Sequence, residues 1–305
     1  MFAKKDFDIL ILGGGIAGMT AALYGAKANR RCAILDTSIT GGLANATNVI
    51  ENYPAFPSIN GMELMQRVRE QIDNLGVTVE EVCTVERVEL DGPLKTVVTD
   101  EGVYTGRTAI IAVGRQPIPL DIPTRAEAIH YCSICDGPPY KGKRLLVVGG
   151  GNSAFDEGLY LKQLGVENIY LIEIMDRFFA AQTAQEKLLS MSGVFAFTRT
   201  KCVDVTLEGG QLVGAVLENA ETGEQRVLPV DGVFVFLGQR PQTEMFKGLL
   251  TMDAHDYIET DADMRTNIPG VFAAGDVVRK SFRQLTTAAA DGTIAGLMAD
   301  RHLRD

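Results

Sequence analysis

Two copies of one glycine-rich motif constrain the fold of this chain more than any other feature. The first follows the apolar run Asp8–Leu12 and reads Gly13-Gly14-Gly15-Ile16-Ala17-Gly18. The second follows Arg144–Val148 and reads Gly149-Gly150-Gly151-Asn152-Ser153-Ala154, with each position 136 residues after its counterpart. A strand, a Gly-x-Gly-x-x-Gly turn and a helix are typical of a unit that binds a dinucleotide at a parallel sheet. The duplication therefore predicts two such units.

The glycines of the first copy have separate predicted roles. Gly13 permits a tight turn, Gly15 lets the backbone approach a pyrophosphate, and Gly18 lets the helix pack on the strand. We predict helices that start at Met19 and at about Ala154. N–H groups at the start of the first helix would bind the phosphates, beside Ile16 and Ala17 of the turn. Asp36 ends the next strand, 18 residues after Gly18, which suits a carboxylate that accepts a hydrogen bond from a ribose hydroxyl.

The second copy differs at its last position and at its acid. Ala154 replaces the last glycine, so a βαβ unit without a ligand stays open as an alternative. Glu173 follows the next strand, 19 residues after Ala154. A carboxylate there accepts from a free 2′-hydroxyl and repels a 2′-phosphate, and the nearest cation is Arg177. These residues favour NADH over NADPH, and the predicted nucleotide-binding set is Gly149, Gly151, Asn152, Ser153, Ala154 and Glu173.

A pair of thiols lies between the two copies, in Cys132-Ser133-Ile134-Cys135-Asp136. Two cysteines at this spacing can form a reducible disulfide, and the first turn of a helix would favour the thiolate. Asp136 can give a proton to a leaving thiolate or take one from an attacking thiol. This equipment predicts thiol–disulfide exchange. His130, two residues before the pair, either tunes the thiols or is a solvated loop residue.

Zinc binding is the competing interpretation of the thiol pair, and a coincidental pair is the third. A closed zinc site needs four ligands. The other three cysteines and the three histidines are scattered along the chain, so no metal is predicted. We expect Cys32, Cys83 and Cys202 to be inert buried thiols.

Composition and charge exclude several classes of protein. The length of 305 residues suggests about two domains, and 46% hydrophobic with 22% charged residues is an ordinary globular composition. A net charge of −10 argues against a nucleic-acid binder and against binding to an anionic membrane surface. Five cysteines are too few for a disulfide scaffold. We expect no signal peptide at Met1–Lys5, no transmembrane segment and a cytoplasmic location.

Strand-like alternation divides the chain further. Residues 77–99 and 203–236 alternate as antiparallel meanders do, and Gln116–Pro119 and Gly238–Pro241 are predicted linkers. The predicted fold is α/β, with two Rossmann-like three-layer dinucleotide-binding domains, each with an antiparallel β meander. We place the first domain at residues 1–116 and 241–305 and the second at residues 117–240.

The motifs together resemble those of the low-molecular-weight, flavin-containing thioredoxin reductases over essentially the whole chain. The motif order is the same. The segments that carry the resemblance are Gly13–Gly18, Glu51–Pro54, Cys132–Gly137, Gly149–Ala154, Gly275-Asp276 and Arg283-Gln284.

This resemblance implies FAD on the first domain, with Asp36 on its ribose, a nicotinamide nucleotide on the second, and a homodimer. It implies that Cys135 faces the flavin, that Cys132 attacks the partner disulfide, and that Asp136 is the proton donor. Residues matching family positions around the flavin are Thr47, Asn52, Asp276, Arg283 and Gln284. We also assign Ala112, Gly114, Gly275 and Leu285 to this site.

Several positions depart from the family pattern. Glu173-Ile174-Met175 stands where the family usually has His-Arg-Arg, and Phe179 replaces a further Arg. Both changes remove ligands of a 2′-phosphate, in agreement with the argument from Glu173. Pro138-Pro139 replaces an aromatic pair, which bears on partner docking. Leu43 and Val113 replace a Gln and a Thr near the flavin.

The predicted activity is that of a thioredoxin reductase-like disulfide reductase. Electrons would pass from NADH through FAD and the Cys132–Cys135 pair to a thioredoxin or similar small redox protein. The two linkers would permit a rotation that presents the pair to the flavin and to the partner in turn. The alternatives are the same fold reduced by ferredoxin or another carrier, a dithiol oxidase that uses oxygen, and a non-enzymatic flavin-binding sensor or scaffold.

Overall fold

The computed structural model describes residues 4–47 and 49–305. The expectation of no leader at Met1–Lys5 falls partly outside these residues, as does Asn48 of the loop at residues 40–57. The chain forms two compact units: the first runs to Gln116 and resumes at Arg240, and the second is Pro117–Gln239. Within the described residues, no helix has both the length and the apolar composition needed to cross a bilayer.

The described residues contain seventeen strands and six α-helices. The strands are β1 (Lys4–Leu12), β2 (Cys32–Leu35), β3 (Thr78–Glu80), β4 (Val85–Glu89), β5 (Lys95–Thr99), β6 (Gly102–Ile111), β7 (Arg115–Pro117), β8 (Ile129–His130), β9 (Arg144–Val148), β10 (Asn168–Ile172), β11 (Val194–Phe197), β12 (Thr200–Glu208), β13 (Gln211–Asn219), β14 (Gln225–Leu228), β15 (Gly232–Val235), β16 (Gln239–Pro241) and β17 (Val271–Ala273). The helices are α1 (Ile16–Lys27), α2 (Gly61–Asp73), α3 (Ser133–Asp136), α4 (Asn152–Gln163), α5 (Gln182–Leu189) and α6 (Leu285–Arg304).

The first unit is built on one seven-stranded sheet. Its order is β3-β2-β1-β6-β5-β4, and β17 pairs with β6. The apolar end of β1 is buried on both faces, as expected for a central parallel strand. The meander predicted over residues 77–99 is wrong at its start, because β3 runs parallel to β2. Helix α2 lies between these two strands in the chain, and such a crossover returns the chain in the same direction.

The second unit has two sheets. Strands β11-β10-β9-β15-β8 form a parallel sheet, and β12-β13-β14 form a separate antiparallel one. The meander predicted over residues 203–236 is wrong at its end, because β15 joins the parallel sheet beside β9. All four residues of β15 are buried, and a continuous buried run is typical of a parallel strand rather than of a two-faced meander. The mixed α/β fold with two Rossmann-like units is confirmed.

The two motif helices start earlier than the sequence suggested. The predictions placed their starts at Met19 and Ala154, whereas α1 begins at Ile16 and α4 at Asn152. Gly15 and Gly151 are the N-cap residues in extended conformation, so the helical N–H groups face the glycine turn directly. The two connections between the units, β7 and β16, pair as a two-stranded sheet.

Candidate active site

The thiol pair is held in one helical turn of the second unit. Cys132 and Cys135 form a disulfide. Cys132 is the N-cap of α3, and its Sγ accepts from the Cys135 N–H at 3.1 Å. Gly137 follows the turn, where a Cβ would collide with the Ser133 carbonyl oxygen. The turn is therefore fixed by close backbone packing, while the Cys135 side chain is exposed.

Asp136 lies directly after this disulfide. Its backbone N–H donates to the Cys132 carbonyl at 3.1 Å, and its side chain is 39% exposed. A carboxylate that is open to solvent and adjacent to a dithiol can exchange protons with both.

The other three cysteines are buried free thiols. Burial raises the pKa of Cys32 to about 12 and that of Cys202 to about 11. Burial likewise raises the pKa of Cys83. Because the thiolate is the reactive form, none of the three is suited to exchange. Over residues 4–47 and 49–305, no group of three or more His, Cys, Asp or Glu side chains could hold a metal ion.

The first glycine motif gives each glycine a different environment. Gly13 has a φ of +103°, and a Cβ there would collide with the Ala112 carbonyl. A Cβ at Gly18 would collide with the Gly13 carbonyl oxygen, so α1 lies close to the end of β1. A Cβ at Gly15 would meet nothing within 4 Å, and the same holds at Gly114. This open space beside the N-terminus of α1 fits a pyrophosphate.

Asp36 fastens the glycine turn to the end of β2. Its Oδ2 accepts from the Gly14 N–H at 2.6 Å, and its Oδ1 accepts from the Ser38 N–H at 2.8 Å. Oδ1 also accepts from the Ser38 hydroxyl at 3.1 Å, so the second lone pair of Oδ2 is the one that can accept from a ribose hydroxyl. The carboxylate is thus oriented by its neighbours while one acceptor site stays available.

Two buried polar atoms that follow β6 and β17 lack hydrogen-bond partners among the described residues, although Lys280 Nζ lies 3.7 Å from one of them, Asp276 Oδ1. Asp276 Oδ2 accepts from Arg115 Nη2 at 3.1 Å, but Asp276 Oδ1 and Arg115 Nε make no hydrogen bond. Such orphaned atoms are costly unless a ligand satisfies them. Together with the open space at Gly15, they fit a polar, polyol-bearing cofactor such as FAD.

The structure brings several predicted flavin-site residues together. Asn52 Nδ2 donates to Gln284 Oε1 at 3.1 Å, although 232 residues separate them. Gln284 is the N-cap of α6, so Leu285 opens that helix. A Cβ at Gly275 would come within 2.7 Å of Ala17, which places the end of β17 against the motif helix.

Two other predicted residues have local partners. Arg283 lies 3.9 Å from the centre of the Tyr257 ring, and its Nε donates to the Asp276 carbonyl at 3.4 Å. Thr47 instead uses its carbonyl to accept from Gly61 N–H at 2.9 Å.

The sequence analysis missed three charged residues of this region. Arg115 pairs with Asp276, Lys280 Nζ donates to Asp291 Oδ2 at 2.7 Å, and that same oxygen accepts from the Gly275 N–H at 3.1 Å. Asp291 therefore fixes the residue before Asp276. The one available signal was the position of Arg115 just after a buried strand.

The second glycine motif repeats the first in outline. Gly149 has a φ of +127°, and a Cβ there would collide with the Phe236 carbonyl. A Cβ at Gly151 would meet nothing within 4 Å. Asn152 Oδ1 accepts from the Ala181 N–H at 2.7 Å, Ser153 is exposed, and Ala154 is fully buried.

Glu173 lies against this second glycine turn. A Cβ at Gly150 would be 2.5 Å from Glu173 Oε2, and Glu173 Oε1 accepts from the Met175 N–H at 2.9 Å. Ile174 and Met175 are about half exposed, at 51% and 52%. The guanidinium of Arg177 lies over the Phe179 ring at 5.4 Å. The loop after this strand therefore carries an acid, exposed apolar side chains and one cation, Arg177, which stacks on Phe179.

One further carboxyl lies beneath the thiol turn. Burial raises the pKa of Glu157 on α4, and Ser133, between the two cysteines, acts in the opposite direction. Among the described residues, neither Glu157 Oε2 nor Ser133 Oγ makes a hydrogen bond of ordinary geometry, although both atoms are buried. These two polar atoms and the open space at Gly151 fit a bound nicotinamide nucleotide.

Comparisons with known proteins agree with this site. Residues 7–292 match the family model described as pyridine nucleotide-disulphide oxidoreductase. A "34.2 kDa protein in rubredoxin operon" of Clostridium pasteurianum is 38% identical, over 99% of each chain. A thioredoxin reductase of Listeria monocytogenes is 36% identical, over 99% of this chain and 95% of the relative.

A solved structure agrees as well. The thioredoxin reductase of Lactococcus lactis superposes with a TM-score of 0.89 at 33% identity, over 98% of this chain and 99% of that one. The family implies FAD and a nicotinamide cofactor, which the open glycine turns fit. The chain belongs to the pyridine nucleotide-disulphide oxidoreductase family, as a low-molecular-weight thioredoxin reductase-like flavoprotein that acts on a disulfide.

Proposed function

We propose that this chain is an NADH-dependent reductase of a thioredoxin-class protein disulfide. The observation that carries the proposal is the Cys132–Cys135 disulfide, held in a helical turn with Asp136 beside it, on the unit that also carries the second glycine motif. Bound FAD supplies two-electron transfer between a nicotinamide and a disulfide.

In the proposed reaction the two thiols carry the electrons and Asp136 transfers the protons. The disulfide becomes two thiols by taking up two electrons and two protons. Cys132, as thiolate, then attacks the partner disulfide, and Cys135 attacks the mixed disulfide in turn. Both electrons end on the partner sulfurs, and the ring closes again. Asp136 takes the proton of an attacking thiol and gives one to a leaving thiolate.

The preference for NADH follows from Glu173. Its carboxylate follows the end of β10, where an adenosine ribose binds in such units. A free 2′-hydroxyl can donate to it, whereas a 2′-phosphate would face an anion beside the apolar Ile174 and Met175. Among the described residues Glu173 has no ion pair that would neutralise it.

One alternative donor has support from the same loop. Ile174, Met175 and Phe179 are all more than half exposed, and an apolar surface beside a redox unit also suits a small protein carrier such as ferredoxin. The second glycine turn, which keeps Gly149 and Gly151 although Ala154 replaces the last glycine, favours the nucleotide.

The test is turnover of the purified holoenzyme with NADH and a bacterial thioredoxin. We expect Cys132→Ser and Cys135→Ser to lower the rate at least about a thousandfold while FAD stays bound. Cys83→Ser, at a buried thiol with a raised pKa, is the matched control and should keep the rate. Equal turnover in all three variants would contradict the proposal.

We propose two further properties. The family resemblance supports a homodimer, and the small number of cysteines supports a cytoplasmic location, in which cellular reductants keep other thiols reduced. Sedimentation of the holoenzyme at micromolar concentration measures the first directly.

A further inference from the structure

A histidine, a tyrosine and the proposed acid form a continuous chain of polar groups beside the thiol turn. His130 Nδ1 lies 3.4 Å from Asp136 Oδ2. On the other side of the ring, His130 Nε2 lies 2.8 Å from the Tyr140 hydroxyl. Each imidazole nitrogen therefore faces a different oxygen, and the acid is at one end of the chain.

The imidazole is held in place by aromatic packing. Its ring is 4.9 Å from that of Phe234 on the neighbouring strand β15 and 5.4 Å from that of Tyr140. Its side chain is only 16% exposed. Gly232 makes room for Tyr140, since a Cβ there would come within 2.6 Å of the Tyr140 ring. His130 is thus no solvated loop residue.

Burial of the ring favours its neutral form. Burial lowers the pKa of His130, and the nearby Asp136 carboxylate opposes this effect. Beyond Tyr140, whose pKa is raised mainly by burial, lies Asp231, which pairs with Arg144. Among the described residues, Asp136 is therefore the charged group that acts on His130.

A neutral imidazole can serve both states of Asp136. When the carboxylate is ionised, Nδ1–H donates to it and Nε2 accepts from Tyr140. When the carboxyl is protonated, it donates to Nδ1, and Nε2–H donates to Tyr140. We propose that His130 is a positioning residue that holds Asp136 toward the dithiol and supports both of its protonation states during thiol–disulfide exchange.

This inference rests on the proposed role of Asp136. The proton balance is that of the exchange itself: a thiol proton passes to Asp136 as the thiolate attacks, and Asp136 returns one proton to a leaving sulfur. His130 changes tautomer but not charge. Donation from Nδ1 stabilises the ionised carboxylate, so its loss should move the ionisation that governs exchange to higher pH.

The test uses reduced holoenzyme and a small aromatic disulfide, dithionitrobenzoate, without thioredoxin or nucleotide. The enzyme is reduced with dithiothreitol, freed of it anaerobically, and mixed with the disulfide between pH 5 and 9. In His130→Phe, we expect the acidic limb of the rate profile to move up by about one pH unit. His130→Asn, whose amide takes the place of Nδ1, should restore the limb. His130→Gln, whose amide reaches instead toward Tyr140, should not.

Repeating the His130 substitution in a variant that lacks the Asp136 carboxylate shows whether His130 acts through Asp136. In Asp136→Asn the limb should be absent, and adding His130→Phe should change the rate less than twofold. Flavin content and melting temperature confirm that each variant is folded. A limb that Asp136→Asn leaves in place would contradict the role of Asp136 in the proposed function and the inference with it. A limb that Asp136→Asn removes but His130→Phe leaves unshifted would overturn the inference alone.

Discussion

The two glycine motifs share a geometry and differ in how tightly the chain closes around them. Both start with a glycine at positive φ that lies against a backbone carbonyl, and both have an open third position. In the first copy Gly18 brings α1 against the Gly13 carbonyl, whereas in the second Ala154 keeps a side chain at that point. Asp36 is bonded to the glycine turn itself, while Glu173 is bonded to Met175 of its own loop.

This difference suits two kinds of ligand. A turn that is bonded to its acid and packed against its helix is preorganised for a cofactor that stays bound. A turn whose acid is held only by its own loop is suited to a nucleotide that enters and leaves in each cycle. We therefore expect these small differences in sequence to make the first βαβ unit bind a resident cofactor and the second bind a nucleotide that exchanges.

Substitutions at the last position of each motif, Gly18 and Ala154, should produce the largest effects on stability and flavin binding. In Gly18→Ala the new Cβ would collide with the Gly13 carbonyl, so we expect a loss of about 1–3 kcal/mol in unfolding free energy and of most bound FAD. Ala154→Gly should cost only about 1 kcal/mol and leave the flavin bound. Denaturant unfolding and flavin absorbance measure both. Equal flavin loss in the two variants would contradict the proposed division.

Neutral variants of Asp36 and Glu173 test whether the two acids serve different nucleotides. Asp36→Asn should weaken FAD binding about tenfold, because an amide oxygen is a poorer acceptor for a ribose hydroxyl and for Gly14 N–H. Glu173→Gln should leave FAD content unchanged and lower the ratio of kcat/KM for NADH over NADPH about tenfold. Flavin titration and steady-state kinetics give the two numbers. A ratio unchanged in Glu173→Gln would remove Glu173 as the determinant of donor choice.

A smaller effect is expected at Glu157, which stands where the first copy has the buried Ala21. Burial raises the pKa of Glu157, and Ser133 lowers it to a lesser extent. The folded state therefore binds this proton more tightly, so the stability from this group is present at acidic pH and is lost as pH rises through the raised pKa.

The corresponding variant is Glu157→Gln. It should raise the melting temperature by a few degrees at pH 8 and by less at pH 5. Glu224→Gln, at an exposed carboxylate, is the control and should change neither. A larger gain at pH 5 than at pH 8 would contradict the assigned sign.

The parts of the molecule that the sequence predicted are those governed by local patterns. The buried runs Ile9–Leu12 and Leu145–Val148 and the glycine turns that follow them were read correctly because their spacing determines local structure. So was the helical turn at Cys132. These features set the family and the redox centre.

The parts that the sequence did not predict depend on residues far apart in the chain. Arg115 meets Asp276 across 161 positions, and β15 leaves the meander because a neighbouring parallel strand pairs with it. The sequence favoured a solvated loop residue at His130, and that interpretation is wrong because the ring packs against Phe234 and Tyr140. Tertiary contacts of this kind override local propensity.

The proposed preference for NADH is tested most directly by measuring which nucleotide reduces the flavin. The oxidised holoenzyme is mixed anaerobically with NADH, and separately with NADPH, while the flavin absorbance is followed in a stopped-flow spectrometer. We expect fast bleaching by NADH and much slower bleaching by NADPH, because in the proposed role Glu173 would accept from a free 2′-hydroxyl and would repel a 2′-phosphate. Faster bleaching by NADPH would contradict it, and no bleaching by either would point to a protein carrier such as ferredoxin.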